Sequence, residues 1–228
     1  MRLPHKTIER NLFKSGYQLI YAVDEVGMGC LAGPVVACAV AITNTFYNKH
    51  HKKLHWIRDS KLMQAKQREK LSAELLKEKE LAYAISSCSS KVIDKLNIYN
   101  AARQAMKNAI KKLAISSKPQ VISKNLNLKP ITYNLQLKTI VLVDGKYKIK
   151  ELPLEQRAIV KGDRKIFAIA CASIIAKVYR DKLMTRYAQK YPGYGFERHK
   201  GYGTKYHQAQ LTALGSCDIH RRSFRLEY

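Results

Sequence analysis

A single tryptophan stands in 228 residues, and the five cysteines form no Cys-x-x-Cys pair. Cys30, Cys38, Cys88, Cys171 and Cys217 are odd in number and widely spaced. That pattern argues against a disulfide framework or a zinc module and fits a reducing cytoplasm. Hydrophobic runs are short. The longest useful one, Leu31 to Ile42, is interrupted by Gly33-Pro34, and a membrane helix needs about 20 apolar residues, so no membrane association is expected. Met1 to Tyr17 is polar and basic and lacks the apolar centre of a secretory signal. Acids are scarce. Seventeen Asp and Glu against 42 Lys and Arg leave a net charge of +25. Such an excess attracts polyanions, and a duplex nucleic acid presents about one charge per 1.7 Å of its axis.

What is present suits one compact domain. The hydrophobic fraction of 46% is enough for a true core. Gln18 to Val23 reads as a buried strand ending at Asp24, and Val35 to Ile42 as its hairpin partner after the Gly33-Pro34 turn. Residues 43–58 read as a loop, with His50, His51 and His55 on the surface. Gln64 to Glu80 carries Leu71, Leu75 and Leu76 at helical spacing, Leu81 to Ser89 can be a third strand, and Ile98 to Ala114 is helical. Residues 115–138 break the rhythm and read as a surface insertion. Lys138 to Val143 is another buried strand ending in Asp144-Gly145, Arg157 to Val160 a short strand, Phe167 to Gln189 a long Ala-rich helix, and Gln208 to Leu214 a short one. The alternation argues for an α/β layer fold. The expected division is a basic lead-in at 1–17, a catalytic domain at 18–189 and a substrate-binding loop and helix extension at 190–228.

The acids carry the chemical signal. Val23-Asp24-Glu25 and Val143-Asp144-Gly145 place carboxylates at the carboxyl ends of apolar strands, where α/β folds put their ligands. A carboxylate does not stay buried unpaired. Acids clustered in so basic a protein need a reason, and a divalent ion supplies one. Mg²⁺ favours carboxylates, retained water and phosphate oxygens, and two ions about 3.5–4 Å apart can serve phosphodiester cleavage. Taken singly, each acid is better explained as a strand-end turn residue; taken as a pair, the two explanations balance. A third acid is needed, from Asp163, Asp181 or Asp94. Asp163 ranks first because it follows a short strand. Asp181 has Lys177 at i−4 and Arg180 beside it, a pattern better explained by a helical ion pair. Glu25 poses a difficulty, because adjacent strand residues point to opposite faces.

These residues resemble a family. Tyr21-Ala-Val-Asp24-Glu25-Val-Gly27-Met28-Gly29-Cys-Leu-Ala-Gly33-Pro34-Val35 resembles the opening motif of ribonuclease HII. Six further elements follow in order: Asp59-Ser60-Lys61; Asp94-Lys-Leu-Asn97-Ile98; Leu142-Val-Asp144-Gly145; Lys161-Gly162-Asp163 with Ala172-Ser173 through Lys177-Val-Tyr-Arg180-Asp181; Tyr194-Gly-Phe with His199-Lys200-Gly201-Tyr202; and His220-Arg221-Arg222-Ser223-Phe224. The resemblance implies a ribonuclease H-like mixed five-stranded sheet flanked by helices, with a helical C-terminal extension. It implies four catalytic, metal-holding acids, which fall on Asp24, Glu25, Asp144 and Asp163, with Mg²⁺ or Mn²⁺ as cofactor. It implies an endoribonuclease acting as a monomer on RNA–DNA hybrids and on duplex DNA that contains ribonucleotides, cutting 5′ of the ribonucleotide to leave 3′-hydroxyl and 5′-phosphate ends.

The implied substrate contacts are Gly27, Met28, Gly29, Ser60, Lys61, Ser173, Lys177 and Tyr202. The 2′-hydroxyl distinguishes RNA from DNA, and glycines let backbone groups approach a sugar closely. Tyr202 falls where the family stacks a tyrosine on the deoxyribose at an RNA–DNA junction. Arg58, Lys61, Lys177, Lys200, Arg221 and Arg222 are candidates for phosphate contacts. There are two departures. Met28 stands where the family has Arg, and Leu62-Met63-Gln64 where it often has Lys-Leu-Ser, which removes a helix cap. Two rival readings remain at this stage, a different nuclease of the same fold and a silent nucleic-acid-binding module.

Overall fold

The computed structural model describes residues 7–51, 63–116 and 137–224. Ser60, Lys61, Arg58, His55 and most of the 115–138 insertion lie outside them. Five strands form one sheet in the order β3-β2-β1-β4-β5: β1 (Leu19–Val26), β2 (Val35–Thr43), β3 (Ala82–Cys88), β4 (Thr139–Asp144) and β5 (Gln156–Ile159). β1 pairs antiparallel with β2, and β2 with β3; β1 and β4 run parallel, as do β4 and β5. The expected mixed α/β fold is therefore present.

Helices cover both faces. α1 (Thr7–Lys14), α2 (Asn44–His50), α3 (Ala65–Lys77), α4 (Ser90–Leu96) and α5 (Ile98–Ser116) precede β4, and α6 (Phe167–Lys190), α7 (Phe196–His199) and α8 (Lys205–Leu214) follow β5. Strand residues alternate between two cores. Ile20, Ala22, Ile140 and Leu142 join α6 with Leu71 and Leu75 of α3. Leu19, Tyr21, Val23, Val141 and Val143 join Ala102, Ala105 and Ile110 of α5. Each fully buried Leu contributes about 1.5–3 kcal/mol. A third cluster, Met184, Phe196, Tyr194, Ile219 and Ala32, ties the C-terminal segments to the loop before β2. Among the described residues no helix is long and apolar enough to cross a membrane.

Several expectations change. Residues 44–50 are helical where a loop was expected. Thr43 caps the helix by accepting the Phe46 amide at 3.3 Å, and Phe46 and Tyr47 are buried. His50 is buried where a surface position was expected; it stacks on Phe46 and lies 3.3 Å from Glu78. α4 was not foreseen at all. β1 runs to Val26, so Asp24 is inside the strand and not at its end. α3 starts at Ala65, and Gln64 before it supplies no side-chain cap, as the departure there implied, while Met63 is drawn into the core.

The basic lead-in contains α1, whose Glu9 is fully buried and accepts the Ala168 amide at 3.1 Å at the start of α6. An anion belongs at a helix N-terminus, yet burial pushes this carboxyl up to about 7, against the pull of the backbone hydrogen bonds. A raised value means that the folded chain holds a proton the unfolded chain has released. That stabilisation is full below the unfolded value and is lost as pH rises through about 7. Glu9→Gln should therefore gain about 2 kcal/mol relative to wild type between pH 5 and pH 8. Denaturant unfolding of both proteins across that range measures it, and parallel pH profiles would refute it.

Candidate active site

Strand parity builds the site. Ala22 pairs with Leu142 and Val23 with Val143, and there the β1–β4 ladder stops. Asp24 follows Ile20 and Ala22 on the face turned to α6, and Asp144 follows Ile140 and Leu142 on that same face. The two carboxylates thus stand side by side at the end of a parallel strand pair. Asp144 pairs with Ile159, the last residue of β5, and the chain then enters a single 3-10 turn, Gly162–Arg164. The Gly162 amide donates to Asp144 Oδ1 at 2.5 Å, and a Cβ at Gly162 would stand 3.0 Å from that oxygen. A glycine there lets the turn close onto Asp144, and it brings Asp163 to the same rim.

The electrostatics agree with the geometry. Burial pushes the Asp24 carboxyl well above the usual carboxylate range, and Glu25, Asp144 and Asp163 push it further; the Ser173 hydroxyl offsets part of this. Asp24 Oδ1 also accepts the Glu25 amide at 2.8 Å. Among the charged neighbours Glu25 acts most strongly on Asp24, so alternation does not carry its carboxylate out of range. Glu25, Asp144 and Asp163 all bear on Asp24, and a divalent cation beside it would relieve that repulsion. Among the described residues no three His, Cys, Asp or Glu side chains are grouped so as to hold a metal ion by themselves. Mg²⁺ does not require such a group, since one or two carboxylates, water and substrate phosphate complete its shell.

The rival acids are otherwise engaged. Asp181 pairs with Lys177 at 2.7 Å and lies 3.6 Å from Arg68. Asp94 accepts the Arg222 and Ser223 amides and the Ser223 hydroxyl at 3.1, 2.9 and 2.6 Å. Partial burial would raise the Asp94 carboxyl, but the hydrogen bonds from Ser223 and Arg222 hold it below its ordinary value.

The substrate-side residues divide. Gly27 has φ +96°, and a side chain there would run into Arg180. A Cβ on Gly29 would meet none of the described atoms within 4 Å, so the backbone is open on that side. The Met28 side chain packs on the α5-side core, leaving its backbone to the loop. Tyr202 forms a β-bridge with Cys30, one residue beyond Gly29. Burial and the Cys30 thiol raise its phenol, so it stays protonated at neutral pH. The Lys177 ammonium lies 5.7 Å from the Tyr202 ring centre. Ser173, expected at the substrate, spends its hydroxyl on Asp24.

Two arginines change role. Arg180 is fully buried and donates to the carbonyls of Pro34, Lys200 and Ala32 at 3.0, 2.8 and 3.1 Å. Arg221, expected at phosphate, is buried among carbonyls, and burial lowers its guanidinium to about 10, still charged at neutral pH. Sequence reasoning missed both roles, because a guanidinium that binds distant carbonyls leaves no local pattern. It also missed a histidine relay. His220 Nδ1 accepts the Cys217 amide at 2.9 Å, so its Nε2 carries the proton and donates to His207 Nε2 at 3.1 Å. That leaves the His207 Nδ1–H for the Tyr202 carbonyl at 2.9 Å. Burial pushes His207 down to about 4, which keeps it neutral, so the relay can hold the Tyr202 backbone. His199 is similarly occupied: its Nδ1 accepts the Gly201 amide and its Nε2 faces the Tyr194 carbonyl.

A five-stranded mixed sheet with carboxylates just past the last pair of its central parallel ladder, beside a glycine loop and a tyrosine, defines a nuclease of ribonuclease H type. The family model for ribonuclease HII matches residues 22–227, and the chain belongs to that family. It is accordingly a metal-dependent ribonuclease H hydrolase. A ribonuclease HII of Caldicellulosiruptor bescii is 48% identical over 217 residues, covering 95% of this chain and 91% of that protein. One from Caldicellulosiruptor saccharolyticus is 44% identical, with 95% and 92% covered. The crystal structure of the ribonuclease H2 from Pyrococcus horikoshii OT3 superposes with a TM-score of 0.62 at 25% identity, over 90% of this chain and 93% of that one.

Proposed function

We propose that this chain cuts the RNA strand of RNA–DNA hybrids and nicks duplex DNA on the 5′ side of an embedded ribonucleotide, leaving 3′-hydroxyl and 5′-phosphate ends. The observation that carries this reading is that Asp24 and Asp144 share one face of adjacent parallel strands just past their last paired residues, with Asp163 and Glu25 acting on Asp24. Asp24, Glu25, Asp144 and Asp163 would hold the ions, Mg²⁺ or Mn²⁺. Two such ions would lower the pKa of water and stabilise the leaving oxygen. The protein does the rest. Ser173 orients Asp24, and the Gly162 amide orients Asp144. The Gly27–Gly29 backbone offers itself to the ribose and its 2′-hydroxyl. Tyr202 presents its ring to the neighbouring sugar, with Lys177 beneath it. Ser60 and Lys61 are proposed to contact the substrate backbone. The basic surface gathers the duplex. Such nicks would begin the removal of ribonucleotides left in DNA by replication.

The test uses two labelled duplexes, one all DNA and one with a single ribonucleotide, each with Mg²⁺ or with excess chelator. A nick confined to the ribonucleotide duplex and abolished by chelator is expected. Equal cutting of both duplexes would point to another nuclease of this fold. Binding without any cutting would point to a silent binding module.

A further inference from the structure

Arg221 holds the loop that carries Gly27, Met28 and Gly29 from behind. Its Nε donates to the Gly33 carbonyl at 3.0 Å, Nη1 to Met28 at 2.9 Å and Nη2 to Gly27 at 2.6 Å. One planar fork therefore spans the loop from entry to exit. A lysine cannot copy this, because its ammonium is a point charge without the fixed fork. In a planar trans peptide the carbonyl and the following amide point in opposite directions. Turning the Gly27 and Met28 carbonyls toward Arg221 therefore aims the Met28 and Gly29 amides away from it, and Gly29 has no described atom within 4 Å of a Cβ position. The guanidinium is itself fixed from outside the site. The Arg221 amide donates to the Leu31 carbonyl at 2.9 Å. Asp94 anchors the next two residues through three hydrogen bonds, and the Phe224 ring lies 4.9 Å from the guanidinium carbon.

We infer that Arg221, locked by Asp94, is a positioning residue that sets the direction of the Met28 and Gly29 amides and so controls how well the loop distinguishes ribose from deoxyribose. The inference rests on the ribonucleotide reading proposed above. A residue needed only for folding would lower affinity for every duplex alike, whereas a positioning residue lowers the preference for one over the other.

The experiment measures anisotropy binding of the all-DNA and single-ribonucleotide duplexes in chelator, where neither is cut, together with Tm. Arg221→Lys should lower the ribonucleotide preference about tenfold, the loss of one or two net hydrogen bonds, while all-DNA affinity holds. Asp94→Asn, which keeps one acceptor oxygen, should lower it about threefold. If Arg221→Lys does not fold, Asp94→Asn decides on the same ratio. An unchanged preference in a folded variant overturns the inference, as does an equal loss for both duplexes. A wild-type protein that binds both equally refutes the ribonucleotide reading itself and the inference with it.

Discussion

Asp144→Asn is expected to lower Mg²⁺-dependent nicking beside an embedded ribonucleotide by 100-fold or more, on the order of the several kcal/mol of charge stabilisation a metal site supplies. The substitution is close to isosteric. The amide oxygen can still accept the Gly162 N–H that Asp144 Oδ1 now accepts at 2.5 Å, so the 3-10 turn should stay closed and Tm should move little. What is lost is one negative charge at a rim where Asp24 already responds to Asp144. Single-turnover nicking across a Mg²⁺ titration separates weaker ion binding from slower chemistry. Nicking at the wild-type rate would remove Asp144 from the reaction and with it the argument from strand parity.

The second large effect is on stability. Arg180→Met should cost about 3–5 kcal/mol, because each buried carbonyl left without a donor costs about 1–3 kcal/mol. Three carbonyls depend on this side chain, those of Pro34, Ala32 and Lys200. Two glycines are spent on admitting it. A Cβ on Gly27 would collide with Arg180 Nε, and one on Gly33 would stand 3.3 Å from Nη2 and closer still to Met184. In a chain of this length the loss corresponds to a Tm lowered by roughly 10 °C. Thermal unfolding reads it directly, and a shift below about 3 °C would mean that water replaces the guanidinium without penalty. Arg180 and Arg221 together hold six carbonyls between Gly27 and Lys200. The substrate loop is thus built on buried cations in a protein whose excess of Lys and Arg otherwise suggests only a surface for polyanions.

Much of the fold was legible locally. The apolar runs at 18–23, 35–42 and 138–143 became β1, β2 and β4, and the Ala-rich stretch from Phe167 became α6. α2 escaped notice because its seven residues make fewer than two helical turns, too few for an apolar stripe to repeat; Thr43 and the burial of Phe46 and Tyr47 make it a helix. The sequence ranks Asp163 over Asp181 from position and partner, and the structure pairs Asp181 with Lys177 and Arg68. The resemblance puts Ser173 at the substrate, and the structure gives its hydroxyl a partner in Asp24. Its orientation toward Asp24 depends on how α6 crosses the sheet.

By itself the sequence determined which segments are buried, which residue types stand at strand ends, and that acids and glycines interrupt an otherwise apolar and basic chain. These are properties of neighbours along the chain, so hydrophobic period and turn chemistry reveal them. Tertiary structure alone decided that Ala22 aligns with Leu142, 120 positions apart, that two acids therefore share a face, and that Arg221, with Asp94 anchoring the residues after it, reaches back to the glycine loop. A register shift of one residue would turn Asp144 away from Asp24, and register between distant strands follows from the packing of both cores together.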